Sequence, residues 1–237
     1  MYKRQIHTIQ RRDDRWELIG GKQTYVAFAV IIATGARHRH LNVPGEKELA
    51  GRGVSVCATC DGFFYRGQDV AVIGGGNVAI DDALYLSELA RKVTVVHRRA
   101  ELRAEPLLQQ RAFSRPNIEF AWDSVVTRIN GAQTVESITI KNVHSGAERD
   151  LPVHGVFVAI GFEPEVALVQ HLVETEDGHI VTDDHMRTSA EGIFAAGDIR
   201  RGALKQIATA VGDGAVAANS AYRYVRSRQE TIPTSGL

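Results

Sequence analysis

The sequence predicts an α/β fold, and three stretches carry that expectation. Residues 69–99, "DVAVIGGGNVAIDDALYLSELARKVTVVHRR", read as a strand, a glycine turn, a helix and a second strand, about the 30 residues of one βαβ unit. Residues 117–161 alternate in strand fashion, with turns at Asn130-Gly131 and Ser145-Gly146, and return to a parallel strand at 155–160. Residues 179–199, "HIVTDDHMRTSAEGIFAAGDI", end a strand at glycine and aspartate before a helix rich in small residues.

The elements follow in order. Residues 16–34 predict a strand, a Gly20-Gly21 turn and a β-branched run ending in a buried strand. The segment from 37 to 55 has Pro44, Gly45, Gly51 and Gly53 and no sustained period, so it reads as a crossing between two bodies, with a boundary near 40. In the helix after the glycine turn, Asp81 and Asp82 are expected in the first turns, where the helix dipole favours acids. The end from 226 onward is polar and expected to fray. The domains expected are 1–39, 40–163 and 164–237, the first and last forming one body.

Composition narrows the function class. The chain has 237 residues, 44% hydrophobic and 24% charged, which suits a globular protein with one large or two modest cores. Lys plus Arg and Asp plus Glu both number 28, so no overall field favours nucleic acid or an anionic membrane as partner. No apolar run approaches the roughly 20 residues of a membrane span, and the start leads into no signal-peptide core, so the expected location is cytoplasmic.

Gly74-x-Gly76-x-x-Ala79, with Asn77 inside it, follows a strand and opens a helix, the context a dinucleotide loop requires. The first glycine permits the turn, the second lets backbone approach a pyrophosphate, and the small third residue allows close helix packing. The next strand ends in His97-Arg98-Arg99, with Arg103 shortly after, where an NAD site would carry an acid. Guanidinium groups there suit the 2′-phosphate of NADPH. The plainer alternative is a solvated basic strand end, paired with Glu101 and Glu105.

Cys57-Ala58-Thr59-Cys60-Asp61 holds both cysteines. Half of a zinc site completed by His38 and His40, or two core spectators, remain alternatives. A redox pair explains more: one thiolate attacks a partner disulfide, the other resolves, and Asp61 serves the proton of the leaving thiol. Exchange of electrons between a dithiol and nicotinamide calls for a mediator, so a flavin is implied.

"GRGVSVCATCDGFFYRGQDVAVIGGGN" and "VHRRAELRAE" resemble the central motifs of the bacterial thioredoxin reductases of low-molecular-weight type, and the likeness runs from about residue 16 to about 225. The resemblance implies two Rossmann-like three-layer βαβ domains, an FAD domain interrupted by an NADPH domain, usually in a homodimer, with thioredoxin as partner. It implies that Cys60 faces the flavin, that Cys57 attacks oxidised thioredoxin and that Asp61 is the acid. Gly74, Gly76, Asn77 and Ala79 match the NADPH loop, and His97, Arg98, Arg99 and Arg103 its 2′-phosphate site. Thr34, Gly35, Gly197, Asp198, Lys205, Gln206 and Ile207 match FAD contacts, with lysine at 205 where the family commonly has arginine. The domain rotation known in the family would place hinges at 38–42 and 161–166.

Nothing before residue 40 supplies the FAD-binding glycine fingerprint with which the family begins. By comparison roughly the first 80 residues, more than one βαβ unit, are expected to be missing. Residues 1–5, "MYKRQ", suggest a sequencing scar, and the chain as written is expected to be an inactive or impaired fragment of an NADPH-dependent reductase. The rival enzymes are the flavoprotein subunit of alkyl hydroperoxide reductase, against which the arginines argue, and the ferredoxin-dependent relative, against which the glycine loop argues. A non-enzymatic nucleotide-binding module is the remaining alternative.

Overall fold

The computed structural model describes residues 5–231. Of the suspected scar only Gln5 is described, and residues 232–237 of the polar end lie outside the described residues. The chain divides into two compact units, residues 38–161 and residues 1–37 with 162–237.

The chain opens on an antiparallel hairpin sheet of β1 (Thr8–Arg12), β2 (Arg15–Gly20) and β3 (Gln23–Ala27), followed by β4 (Val30–Ile32) and β5 (Ala36–His38). β1 precedes the region where the sequence suggested structure, because only Ile9 of its five residues is buried and little apolar pattern marks it. Trp16 is buried and donates its indole N–H to the Glu191 carbonyl at 3.1 Å, tying this hairpin to the later part of its own unit.

The crossing from 37 to 55 is a run of turns ending in β6 (Val54–Ser55). After the short helix α1 (Ala58–Asp61) and a 3-10 turn at Gly62–Tyr65 come β7 (Asp69–Ile73), α2 (Asn77–Ser87) and β8 (Lys92–Val96). Asp81 and Asp82 lie in the second turn of α2, which starts at Asn77 with Gly76 as its N-cap, as expected. Helix α3 (Pro106–Phe113) leads to β9 (Ile118–Ala121), which joins β8 in parallel rather than entering the meander. The meander is β10 (Ser124–Asn130), β11 (Ser137–Asn142) and β12 (Glu148–Pro152), all antiparallel, and β13 (Gly155–Val158) closes the unit.

The resulting sheet runs β6-β13-β7-β8-β9, every pair of neighbours parallel. Strand residues alternate between its faces. Val70, Val72, Val93, Val95 and Phe157 pack with Ala79, Ile80, Ala83 and Leu86 of α2, while Ala71, Ile73, Val96, Val156 and Val158 pack against Val126, Ile138, Ile140 and Leu151 of the meander. The unit is thus three layers, helices, parallel sheet and antiparallel sheet, and burial on both faces explains why its strands read as continuous apolar runs.

The second unit resumes with β14 (Phe162–Pro164), which pairs with β5, then β15 (Thr175–Glu176), β16 (His179–Ile180) and β17 (Ile193–Ala195). β17 pairs in parallel with β4, Ile193 opposite Val30 and Ala195 opposite Ile32. Its core gathers Ile9, Trp16, Val30, Ile32, Val169, Ile180, Ile193 and Ile199. A 3-10 turn at Gly197–Ile199 leads to α4 (Ile207–Thr231). This helix runs past the expected fray point at 226, where the Arg228–Glu191 ion pair and the packing of Tyr224 on Phe194 hold it.

Candidate active site

Ser55 ends β6 and sits opposite Phe157 of β13, so the strand that delivers the cysteines is locked into the parallel sheet. Cys57 is the N-cap of α1, and its sulfur accepts the Cys60 N–H at 3.2 Å, the capping bond a serine would otherwise make. The two form a disulfide with Cα atoms 5.3 Å apart; Cys60 is exposed and Cys57 half-buried. The Thr59 hydroxyl lies 3.5 Å from the Cys57 sulfur. Asp61 closes the helix, and its Oδ2 accepts a 2.6 Å hydrogen bond from the Ser55 hydroxyl. Burial and then the Asp61 charge raise the pKa of Tyr65, one turn on. Phe63 and Phe64 stand 65% and 73% exposed directly after the pair, an apolar edge that burial alone does not explain.

The glycine turn lies in the same unit, between β7 and α2. Gly74 has φ +149°, and a Cβ there would meet the Ala159 carbonyl oxygen at 2.4 Å and Ala79 Cβ at 2.8 Å. Gly76 opens on free space, and no side chain caps the helix it begins. The N-terminal N–H groups of α2 are therefore available to an anion.

Gly75 matters as well, a role the sequence pattern did not single out. A Cβ on it would fall 2.4 Å from the His97 ring, and its carbonyl accepts the N–H groups of Arg103 and Ala104 at 2.7 and 3.2 Å. Asn77 completes the clamp: its Oδ1 accepts the Glu105 N–H at 2.8 Å, and its Nδ2 donates to Glu105 Oε1 at 3.0 Å. The segment from 98 to 105 is not helical; these bonds to the glycine turn shape it instead. Arg98, Arg99 and Arg103 are exposed, and among the described residues no ion pair engages them; Glu105 is turned to Asn77. His97 is buried, with its pKa lowered by that burial and by the charges of Arg103, Arg99 and Arg98, against a raising hydrogen bond to the Glu101 carbonyl. It packs as a neutral ring behind three exposed cations.

In the other unit, Thr34 and Gly35 follow β4 and Gly197 and Asp198 follow β17, so the parallel pairing brings them to the carboxyl ends of adjacent strands. Thr34 Oγ1 donates to the Glu165 carbonyl at 2.8 Å, and the Gly35 carbonyl accepts the Glu165 N–H at 3.0 Å. Asp213, on α4, fixes the Gly197 turn by accepting its N–H at 3.1 Å while pairing with Arg200 at 2.5 Å. It lies inside a helix whose pattern gave no sign of a site. Lys205 has φ +59°, and its ammonium stands 4.9 Å from the centre of the Phe162 ring. Gln206 and Ile207 lead into α4, with Ile207 87% exposed.

Residues 2–214 match the family of pyridine nucleotide-disulphide oxidoreductases. The chain is similar to a thioredoxin reductase of Treponema pallidum, 44% identical over 225 residues that make up 95% of this chain and 73% of that one. A thioredoxin reductase of Bacillus subtilis is 47% identical over 216 residues, 90% of this chain and 68% of that one. Among solved structures, the thioredoxin reductase of Streptococcus pyogenes superposes with a TM-score of 0.87 at 48% identity, covering 94% of this chain and 74% of the other. With a disulfide and a glycine turn built into one unit and likeness of this extent, the chain belongs to the pyridine nucleotide-disulphide oxidoreductase family and, within it, to the thioredoxin reductases.

Proposed function

We propose that the protein is an NADPH-dependent thioredoxin-disulfide reductase that works through FAD and the Cys57–Cys60 pair. The observation that carries this is the Cys57–Cys60 disulfide in the same unit as a glycine turn faced by three unpaired arginines. The residues fit the dinucleotide: Gly74 lets the turn pack closely on Ala159 and Ala79, Gly76 leaves open space at the α2 N-terminus, which suits the pyrophosphate, and Arg98, Arg99 and Arg103 suit the 2′-phosphate. For the flavin, Asp198 and the Gly197 turn offer a polar anchor at the strand ends. Gly212 and Gly214 leave open space beside α4, where a Cβ would meet nothing within 4 Å. We assign residues 38–161 to NADPH and the other unit to FAD.

Bound NADPH and FAD together supply the electron pair that reduces the disulfide. The chain's own chemistry then runs on sulfur. The Cys57 thiolate attacks the thioredoxin disulfide, forming a mixed disulfide and expelling one thioredoxin thiolate, which takes a proton from Asp61. Cys60 returns a proton to Asp61, and its thiolate attacks the Cys57 sulfur, expelling the second thiolate and restoring the Cys57–Cys60 bond. Phe63 and Phe64 give the partner an apolar landing edge beside the sulfurs.

Homodimerisation and a cytoplasmic setting complete the reading. The exposed Ile207, Val211 and Tyr222 of α4 support the first, a thiol pair that cycles in a reducing compartment the second. Among the described residues no helix is long and apolar enough to cross a membrane.

The test is thioredoxin reduction by the purified protein supplied with FAD. Electron transfer from the reduced Cys57–Cys60 pair to thioredoxin, lost in Cys57→Ser, is expected, with NADPH-driven turnover impaired relative to the full-length relatives. Retention of FAD with NADPH-driven flavin reduction but no thioredoxin turnover would remove the assignment.

A further inference from the structure

We propose that Ser55 is the positioning residue for Asp61, an inference that rests on the acid–base role given to Asp61 above. Its hydroxyl is held from both sides: Oγ accepts the Cys57 N–H at 3.1 Å and donates to Asp61 Oδ2 at 2.6 Å. Ser55 is 7% exposed and its backbone pairs with Phe157 of the parallel sheet, so this hydroxyl is anchored to the sheet. A carboxylate at the end of a four-residue helix would otherwise be free to turn away. With Oδ2 occupied by Ser55, Oδ1 is the oxygen that carries the proton, giving it to the departing thioredoxin thiolate and taking it back from Cys60. Over one cycle dithiol and disulfide exchange, and Asp61 ends as it began.

Ser55 also tunes the group it holds. A hydrogen bond donated to a carboxylate favours its ionised form, and the Ser55 hydroxyl makes that bond to Asp61 at 2.6 Å. Other titrating groups face this place. Tyr65 lies in the following 3-10 turn, with its pKa raised, and the thiols of Cys57 and Cys60 appear on reduction. On α2, Gly62 touches Tyr85 and Leu86, and Asp82 stands one turn before them on the same stripe, with Asp81 beside it. Asp82 is pushed up to about 6 by burial and then by Asp81, so it is the rival for any limb near neutral pH.

The experiment uses the full chain reduced by dithiothreitol, freed of excess reductant and mixed in single turnover with an oxidised bacterial thioredoxin across pH; no flavin is needed. Ser55→Ala should move the alkaline limb of the rate profile, where the acid loses its proton, upward and slow the plateau roughly tenfold. Ser55→Thr, which keeps the hydroxyl, should restore both and so separates the effect from a folding defect. Asp61→Asn should abolish the limb, and Ser55→Ala added to it should change nothing further. Asp82→Asn should leave the limb in place.

If Asp61→Asn leaves the profile intact, the acid role itself fails. If Asp61→Asn removes the limb but Ser55→Ala leaves it where it was, the Ser55 assignment alone falls. Equal shifts in Ser55→Ala and Ser55→Thr, or loss of the limb in Asp82→Asn, would also overturn it.

Discussion

Asp82 shows how a single residue reports on its surroundings. Burial, then repulsion from Asp81, raises its pKa to about 6. The folded state therefore binds a proton that the unfolded chain releases at about 4. The stability this confers is fully present below pH 4 and is lost as pH rises through about 6, so at neutral pH the ionised carboxylate is a cost. Asp82→Asn should stabilise the 38–161 unit by about 2 kcal/mol at pH 7.5 in urea unfolding, with the gain vanishing near pH 4. A constant difference across that range would remove the linkage. The sequence reading assigned Asp81 and Asp82 a favourable place in the helix dipole, yet α2 begins at Asn77 and leaves them in its second turn. Residue chemistry was otherwise legible where the chain must be unusual: two cysteines at redox spacing, glycines before a helix, arginines where an acid would be ordinary. Gly75 and Asp213 escaped because each acts through a hydrogen bond or a close approach to a residue distant in the chain, and Ser55 because only the turn into the short helix α1 brings its hydroxyl back to Asp61.

At the scale of elements, the β7–α2 turn and the segment from 98 to 105 form one device. The turn's backbone holds the segment through the Gly75 carbonyl and Asn77, and the segment presents the arginines. The turn should therefore be intolerant of size and the arginines tolerant of it. Gly74→Ala places a methyl 2.4 Å from the Ala159 carbonyl oxygen at φ +149°. It should destabilise the unit by about 1–3 kcal/mol and weaken NADPH and NADH alike. Replacing Arg98 and Arg99 together should leave stability within about 0.5 kcal/mol, since both are exposed and among the described residues no ion pair engages them. That change should raise the Kd for NADPH by one to two orders of magnitude, roughly the worth of one or two charge-assisted bonds, and leave NADH nearly untouched. Titration calorimetry with both nucleotides separates these outcomes, and equal losses in the arginine variant would remove the phosphate reading. The βαβ unit was readable because apolar runs, glycine and helical spacing fall in sequence there. β9 was misplaced into the meander because a short buried strand looks the same whichever sheet receives it.

For the whole molecule, the glycine- and proline-rich crossing near residue 40 suggested a boundary, but strand order did not follow from it. β13 inserts between β6 and β7, a pairing across more than 80 residues that only packing decides. The two units differ in how completely their sheets are covered. Five parallel strands with an apolar layer on each face make the 38–161 unit self-sufficient. In the other unit the parallel pairing is two strands wide, with Ile31 41% exposed and α4 presenting Ile207 at 87% and Val211 at 68%. A pair of strands is at the margin of independent stability, so local opening there should be easy. Native-state hydrogen exchange should accordingly find the amides of β7, β8 and β13 slowest, and those of β4 and β17 at least about 100-fold faster. On the proposed assignment of FAD to the second unit, binding would add stability there by mass action, so ligand at 100 times its Kd should slow β4 and β17 by about 100-fold while leaving β7 and β8 unchanged. Equal protection in both units without flavin would show that the narrow sheet is already complete. Slowing confined to β7 and β8 would move the flavin to the wrong unit.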